Sequence, residues 1–296
     1  MTSTLTPDAV APKVAKLVAA AERASYDPFT EIDWNQPIAD TAYFLPPEHL
    51  PLFGTPPWEA MSELERIEYS RHECASLCSA GIWFENILMN MVLKHLYDLP
   101  VSDVSHRYLL IETADECRHS AMFGEFIRQA GTPAYQVDPL LRFGGKVMTN
   151  IAGRAGGFIA ILAAEEILDV SNRATMKDDR VHPLSRQIAK LHVLEEARHM
   201  SFARTWLEAV WPTLNPLDRV RAAALAPVYV FGIADALVNP TVYDELGIDG
   251  GARMAKANPH RKDMVKGSLH RLVTQLEELG AITPLTRPSW MLLGLI

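Results

Sequence analysis

Residues 115–119 read Asp-Glu-Cys-Arg-His, and residues 195–199 read Glu-Glu-Ala-Arg-His. Each is an acidic pair followed by x-Arg-His, and the two copies are offset by 80 residues. A glutamate three positions before a histidine shares its face only on a helix, so the pattern predicts that Glu116 and His119, and Glu196 and His199, project together. A bare Glu-x-x-His arises easily by chance, but two copies of a five-residue form call for a shared explanation. The same offset relates Glu85 to Glu165, and each lies 31 residues before a motif glutamate. From Glu85 to the chain reversal near Pro100 is roughly 20 Å of helix at 1.5 Å per residue, and the return path to Glu116 is about as long. Glu85 and Glu116 should therefore meet at one level of an antiparallel hairpin. Glu165, the turn at 178–183 and Glu196 repeat the arithmetic.

Outward from these segments, helical spacing dominates and no strand ladder is evident. Helices are expected over residues 8–25, from Trp58 to about Asp98, over Ser102–Ala130, from Phe158 to about Lys177, over Leu184–Trp211, over 217–239 with a bend at Pro227, and over His260–Leu279. Ser62 and Glu65 form a capping-box signature, Pro100 stops one helix, and Gly131-Thr132-Pro133 stops the next. Residues 26–57 are rich in proline and aromatics and should wrap over the helices. Residues 139–157 carry five glycines and should be helical in pieces, and the tail from Thr283 to Ile296 should dock. The expected organisation is an N-terminal helix and wrapping loop over 1–57, followed by one all-α bundle over 58–296 whose chemical core lies at about 60–210.

Composition narrows the function. The chain has 296 residues, 48% hydrophobic and 22% charged, and a net charge of −8. That suits a folded globular protein and gives no basic field for a nucleic-acid backbone, so no nucleic-acid partner is expected. The longest apolar run, Ala222–Ala234, has 13 residues and contains Pro227, short of the roughly 18 that a membrane span needs, so no membrane association is expected. The first residues lack an apolar signal segment, and Cys74, Cys78 and Cys117 are too few for a disulfide framework, which points to the cytoplasm. Cys74 and Cys78 read as packing residues. The glycines near 144–157 lack a nucleotide-binding order, and no flavin or nicotinamide motif is visible.

Glu85, Glu116, Glu165 and Glu196 with His119 and His199 would place four carboxylates and two imidazoles at one height of a bundle. Such a set cannot be buried as anions without cations, and two divalent metals supply that charge. An oxygen-rich site with imidazoles suits iron, or manganese, better than zinc. One glutamate from each of two helices and Glu-x-x-His from each of the other two is the arrangement of ferritin-like di-iron bundles. His192, four before Glu196 and seven before His199, shares their face and offers a third imidazole. Its counterpart in the first half is Glu112. Asp115 and Glu195 lie off the ligand face as natural partners for the opposite histidine's free N–H, with Arg118 and Arg198 neutralising the cluster from outside. Glu166 competes with Glu165 for its position.

The set Glu85, Asp115-Glu116-x-Arg-His119, Glu165 and His192-x3-Glu196-x2-His199 resembles the AurF-like di-iron oxygenases, the p-aminobenzoate N-oxygenase family, whose distinguishing mark is an additional histidine on the last metal-binding helix. The resemblance implies a ferritin-like fold with additional helices, two iron ions, and O₂ as co-substrate. It also implies an external electron donor, a homodimer, and N-oxygenation of an aryl or other amine toward hydroxylamine, nitroso or nitro products. A C–H hydroxylase or acyl desaturase is the alternative chemistry on such a site, and an iron-storage bundle the alternative without turnover. The residues flanking Glu85 (77–84 and 86–92) contain no cation to meet a substrate carboxylate. Arg154 or Arg173 would have to reach in, and Trp83, Phe84, Met89 and Phe158 are candidates for a channel.

Overall fold

The computed structural model describes residues 6–38 and 41–296. Among these the protein is all-α, and its one β feature is an isolated bridge between Tyr43 and Val181. The N-terminal region holds α1 (Ala11–Arg23), α2 (Pro28–Glu31) and α3 (Pro56–Ala60). The long helices follow: α4 (Glu63–Asp98), α5 (Val104–Ala130), α6 (Pro139–Ile151), α7 (Gly153–Thr175), α8 (Pro183–Val210) and α9 (Pro216–Ala236). The chain ends in α10 (Pro240–Glu245), α11 (Gly251–Ala257), α12 (Pro259–Ser268), α13 (His270–Glu278) and α14 (Arg287–Leu292).

Local chemistry accounts for the boundaries. Ser62 and Glu65 form the reciprocal capping box that opens α4 at Glu63, five residues later than the expected start at Trp58. Gly131 takes the left-handed conformation that ends α5. The helix α7 begins five residues before the expected Phe158, because Gly156 and Gly157 lie inside it rather than in a loop. A Cβ on Gly157 would stand 2.6 Å from Met91 Cε, so the glycine lets α7 lie close against α4. Pro227 is buried within a continuous α9. The expected single helix over His260–Leu279 is instead two, broken at Leu269, whose side chain is fully buried.

Two helical hairpins form the frame: α4 packs on α5, and α7 packs on α8, with α9 against the outer side of α7 and α1 over α5. The wrapping segment buries Phe44, Leu45, Leu50 and Leu52, and Tyr43 grips the α7–α8 turn by hydrogen bonds to Arg180 and His182. The tail docks only in part: Trp290 is buried while Leu285 and Leu292 are exposed. The expectation that nothing is apolar enough for a membrane is corrected by windows of mean hydropathy 1.2 in Glu63–Asp98 and 1.6 in Pro216–Glu245. Counting uninterrupted apolar residues missed them. In this fold α4 turns the buried Glu73 and Glu85 inward, and α9 supplies Ala226, Tyr229, Val230 and Ile233 to the core.

Candidate metal centre

Middle turns of α4, α5, α7 and α8 bring Glu85, Glu116, His119, Glu165, His192, Glu196 and His199 together, each at most 2% exposed. Three overlapping sets, Glu85–His119–His192, Glu116–Glu196–His199 and Glu165–His192–Glu196, each offer one donor atom per residue within 4.8 Å of the others. The helix spacing is the cause: i, i+3 on α5 and i, i+4, i+7 on α8 put these groups on single faces.

The two motif histidines are held alike. His119 Nδ1 lies 2.9 Å from Glu116 and 3.2 Å from Glu196, while its Nε2 donates to Glu195 at 2.9 Å. His199 Nδ1 lies 3.0 Å from Glu116 and 3.1 Å from Glu196, and its Nε2 meets Asp115 at 3.3 Å. Each motif's leading acid therefore orients the other motif's histidine, and in both rings Nδ1 is the atom turned toward the carboxylates. Arg118 pairs with Asp115, and Arg198 approaches Asp115 at 3.7 Å and Glu195 at 3.6 Å. His192 joins from the next turn of α8. Its Nδ1 contacts the Asn172 side-chain amide at 3.0 Å, and its Nε2, 3.8 Å from Glu85 and 3.7 Å from Glu196, has no hydrogen-bond partner.

Burial and mutual repulsion set the protonation of the cluster. Burial, then the Glu116 charge, raises Glu85 well above the usual carboxylate range, and burial with Glu196 and Glu85 does the same to Glu165. Burial would also raise Glu116, but the imidazoles of His199 and His119 hold it at about 2, and Glu196 is held well below its usual value by the same rings. Reciprocally, burial opposes a charge on His119 and His199, yet the carboxylates around each ring keep both well above the ordinary histidine value. His192, with burial and the His119 charge against it, falls to about 4. Glu112, buried one turn from Glu116, is raised to about 8 by burial.

These residues fit a pair of divalent metals. Glu85 Oε2, Glu165 Oε2 and His192 Nε2 are buried without hydrogen-bond partners, an arrangement costly for polar atoms unless a cation receives them. Four carboxylates match the charge of two divalent ions, and the outer nitrogens of all three rings are occupied by protein groups, which fixes the inner nitrogen as the ligand atom. Glu166 does not compete with Glu165: it pairs with Arg204 and accepts from the Leu272 amide at 3.2 Å. Asn172 was not singled out by sequence reasoning. Its position seven residues after Glu165, on the same face of α7, was the available signal. Arg173 turns outward to Asp169 at 2.6 Å. Of the channel candidates, Trp83 packs beside Gly145, Met89 lies against Cys117, and Phe158 lines the cavity between α4 and α7.

A family model described as p-aminobenzoate N-oxygenase AurF matches residues 8–280. The chain belongs to the AurF family. Uncharacterized proteins of Mycobacterium tuberculosis (strains CDC 1551 and H37Rv) and Mycobacterium bovis are similar to it. Each is 29% identical over 235 residues, covering 77% of this chain and 69% of the relative. The fold is accordingly the ferritin-like di-iron helical fold of the AurF family, and membership implies an oxygenase. The buried Glu/His clusters point to iron as the metal.

Proposed function

We propose that this AurF-family protein is an O₂-activating di-iron oxygenase that N-oxygenates an aryl or other primary amine, using an external reductant. The observation that carries the reading is the third imidazole. His192 brings an unpartnered, buried Nε2 to a set already holding four carboxylates and two motif histidines. Iron bound there would supply the redox chemistry, reducing O₂ with external electrons and delivering oxygen to the substrate. Glu85, Glu116, Glu165, Glu196, His119, His192 and His199 would hold the metals. Glu195 and Asp115 fix the ring orientations of His119 and His199, and Asn172 fixes that of His192. Glu112, protonated near neutral pH beside Glu116, can hold a proton next to the site. Phe123, buried, packs against the rings of His119 and His192 and helps exclude water there.

The test is metal content and turnover together. About two irons per chain, lost in Glu116→Ala and Glu196→Ala, with oxygenated product from an amine panel, is the expected result. His192→Ala should keep the fold and impair oxygenation. A folded, iron-loaded protein that consumes O₂ with reductant but oxidises no amine would refute the N-oxygenase assignment. We also propose a homodimer in the cytoplasm. Exposed apolar side chains on α6 (Leu140, Phe143) and α9 (Val220, Phe231) support the first, and three unpaired cysteines the second. Sedimentation as a monomer at micromolar concentration would count against the dimer.

A further inference from the structure

A cavity of about 220 Å³ opens between α4, the end of α6 and the start of α7. Its lining continues the faces that carry the candidate ligands. On α7, Arg154, Phe158 and Ile161 precede Glu165 by eleven, seven and four residues, and on α4, Val92 and His95 follow Glu85 by seven and ten. These are helical repeats of one stripe, so the cavity lies along the α4–α7 seam on the same side as Glu85 and Glu165. Its inner wall at Ile161 is about 6 Å along the axis from Glu165, and its mouth at Arg154 about 16 Å.

The chemistry changes along that length. Met91, Val92, Phe158 and Ile161 make the inner part apolar. His95 stands midway, 6% exposed, edge-on to Trp206 and Phe158, and neither of its ring nitrogens has a hydrogen-bond partner. Burial, reinforced by Arg154, holds this ring at about 4, so it is neutral and offers one donor and one acceptor. The mouth carries Lys94 and Arg154 against one carboxylate, Asp98, which is mostly exposed and 3.8 Å from Arg154. Lys94 is pinned over the opening by the Thr149 carbonyl at 2.9 Å and Asn150 Oδ1 at 2.7 Å, and makes no ion pair among the described residues. By contrast, the recess that touches His192, lined by Cys78, Phe123 and Leu168, is about 50 Å³ and has no charged wall. A ring-sized ligand needs on the order of 150 Å³.

Resting on the N-oxygenase reading, we propose that the α4–α7 cavity is the substrate site and takes an elongated amine with an anionic group at its far end. The anion sits at Lys94 and Arg154, a hydrogen-bonding group along the body meets His95, and the amine end points down the seam toward Glu165. With its mouth about 16 Å along the axis from Glu165, the cavity favours an amine longer than a single-ring aminobenzoate.

Calorimetry on the full chain loaded with Mn(II) tests this with 4-(4-aminophenyl)butanoate, its methyl ester, p-aminobenzoate and butanoate. The long acid should bind roughly tenfold more tightly than its ester, as expected for one or two charge-assisted hydrogen bonds. Arg154→Gln combined with Lys94→Gln should remove that difference, and His95→Phe should weaken acid and ester alike. Gly157→Ala, whose Cβ would crowd the Met91 methyl at the cavity wall, should weaken both at unchanged metal content. Equal binding of acid and ester, or butanoate or p-aminobenzoate binding as well as the long acid, would overturn the proposal. The expected binding pattern without any N-oxidised product from iron-loaded, reduced protein under O₂ would instead refute the N-oxygenase reading, leaving the anion-anchored cavity in place.

Discussion

Loading the cluster with metal should expel about four protons per chain. In the metal-free protein, the charges of Glu116 and Glu196 favour the protonated form of His119 and His199, and burial and their neighbours favour the protonated form of Glu85 and Glu165. Glu116 and Glu196 are ionised and His192 is neutral, so they contribute none. Two divalent ions bring four positive charges, and ligation requires the bare form of every donor. The four groups have pKa values raised above their ordinary ones, so each proton must be displaced wherever the pH lies below the raised value. Affinity therefore rises with pH. If all four protons are released, the two-metal constant gains about ten-fold per proton for each pH unit, roughly 5 kcal/mol in total. Anaerobic titration with Mn(II) in buffers of different ionisation enthalpy reads the number directly, as the slope of apparent enthalpy against buffer enthalpy. Glu85→Gln and Glu165→Gln should each lower the count by about one. Release of one proton or none while two ions bind would refute the pairing scheme derived for this cluster.

Two further outcomes follow from particular contacts. Asn172→Leu should leave the fold intact and lower metal affinity by roughly 10–100-fold, because His192 loses the amide that orients its ring. Metal titration checks it, and wild-type affinity would remove Asn172 from the site. Arg204→Leu should cost about 3–5 kcal/mol by leaving the buried Glu166 without its partner, and the double variant Glu166→Leu/Arg204→Leu should recover most of the loss. Denaturant unfolding of the single and double variants measures the coupling, and strictly additive losses would contradict it.

The all-α architecture and the level at which the donors meet were legible from four glutamates and two histidines at a constant offset, because a helix converts residue number into height. The fine choices were not. Glu165 and Glu166 are adjacent in an apolar run, and what separates them is Arg204 on another helix, invisible to local periodicity. The start of α7 was misplaced because glycine reads as a breaker, whereas here its missing side chain admits Met91. The break at Leu269 within an amphipathic pattern arises where that leucine turns into the core, a tertiary demand that outweighs helical periodicity. Asn172 sat on the right face, but a single amide has no spacing rule to mark it.

The crossed pairing of Glu195 with His119 and Asp115 with His199 has a consequence for how such a chain can change. Although the two hairpins echo each other in sequence, neither is a self-sufficient module, since each borrows from the other the carboxylate that aims its own histidine. A slide of α5 past α8 by one turn would misdirect both rings at once. Substitutions at either acid are therefore judged by the opposite half of the molecule, and the repeat must be altered as a pair.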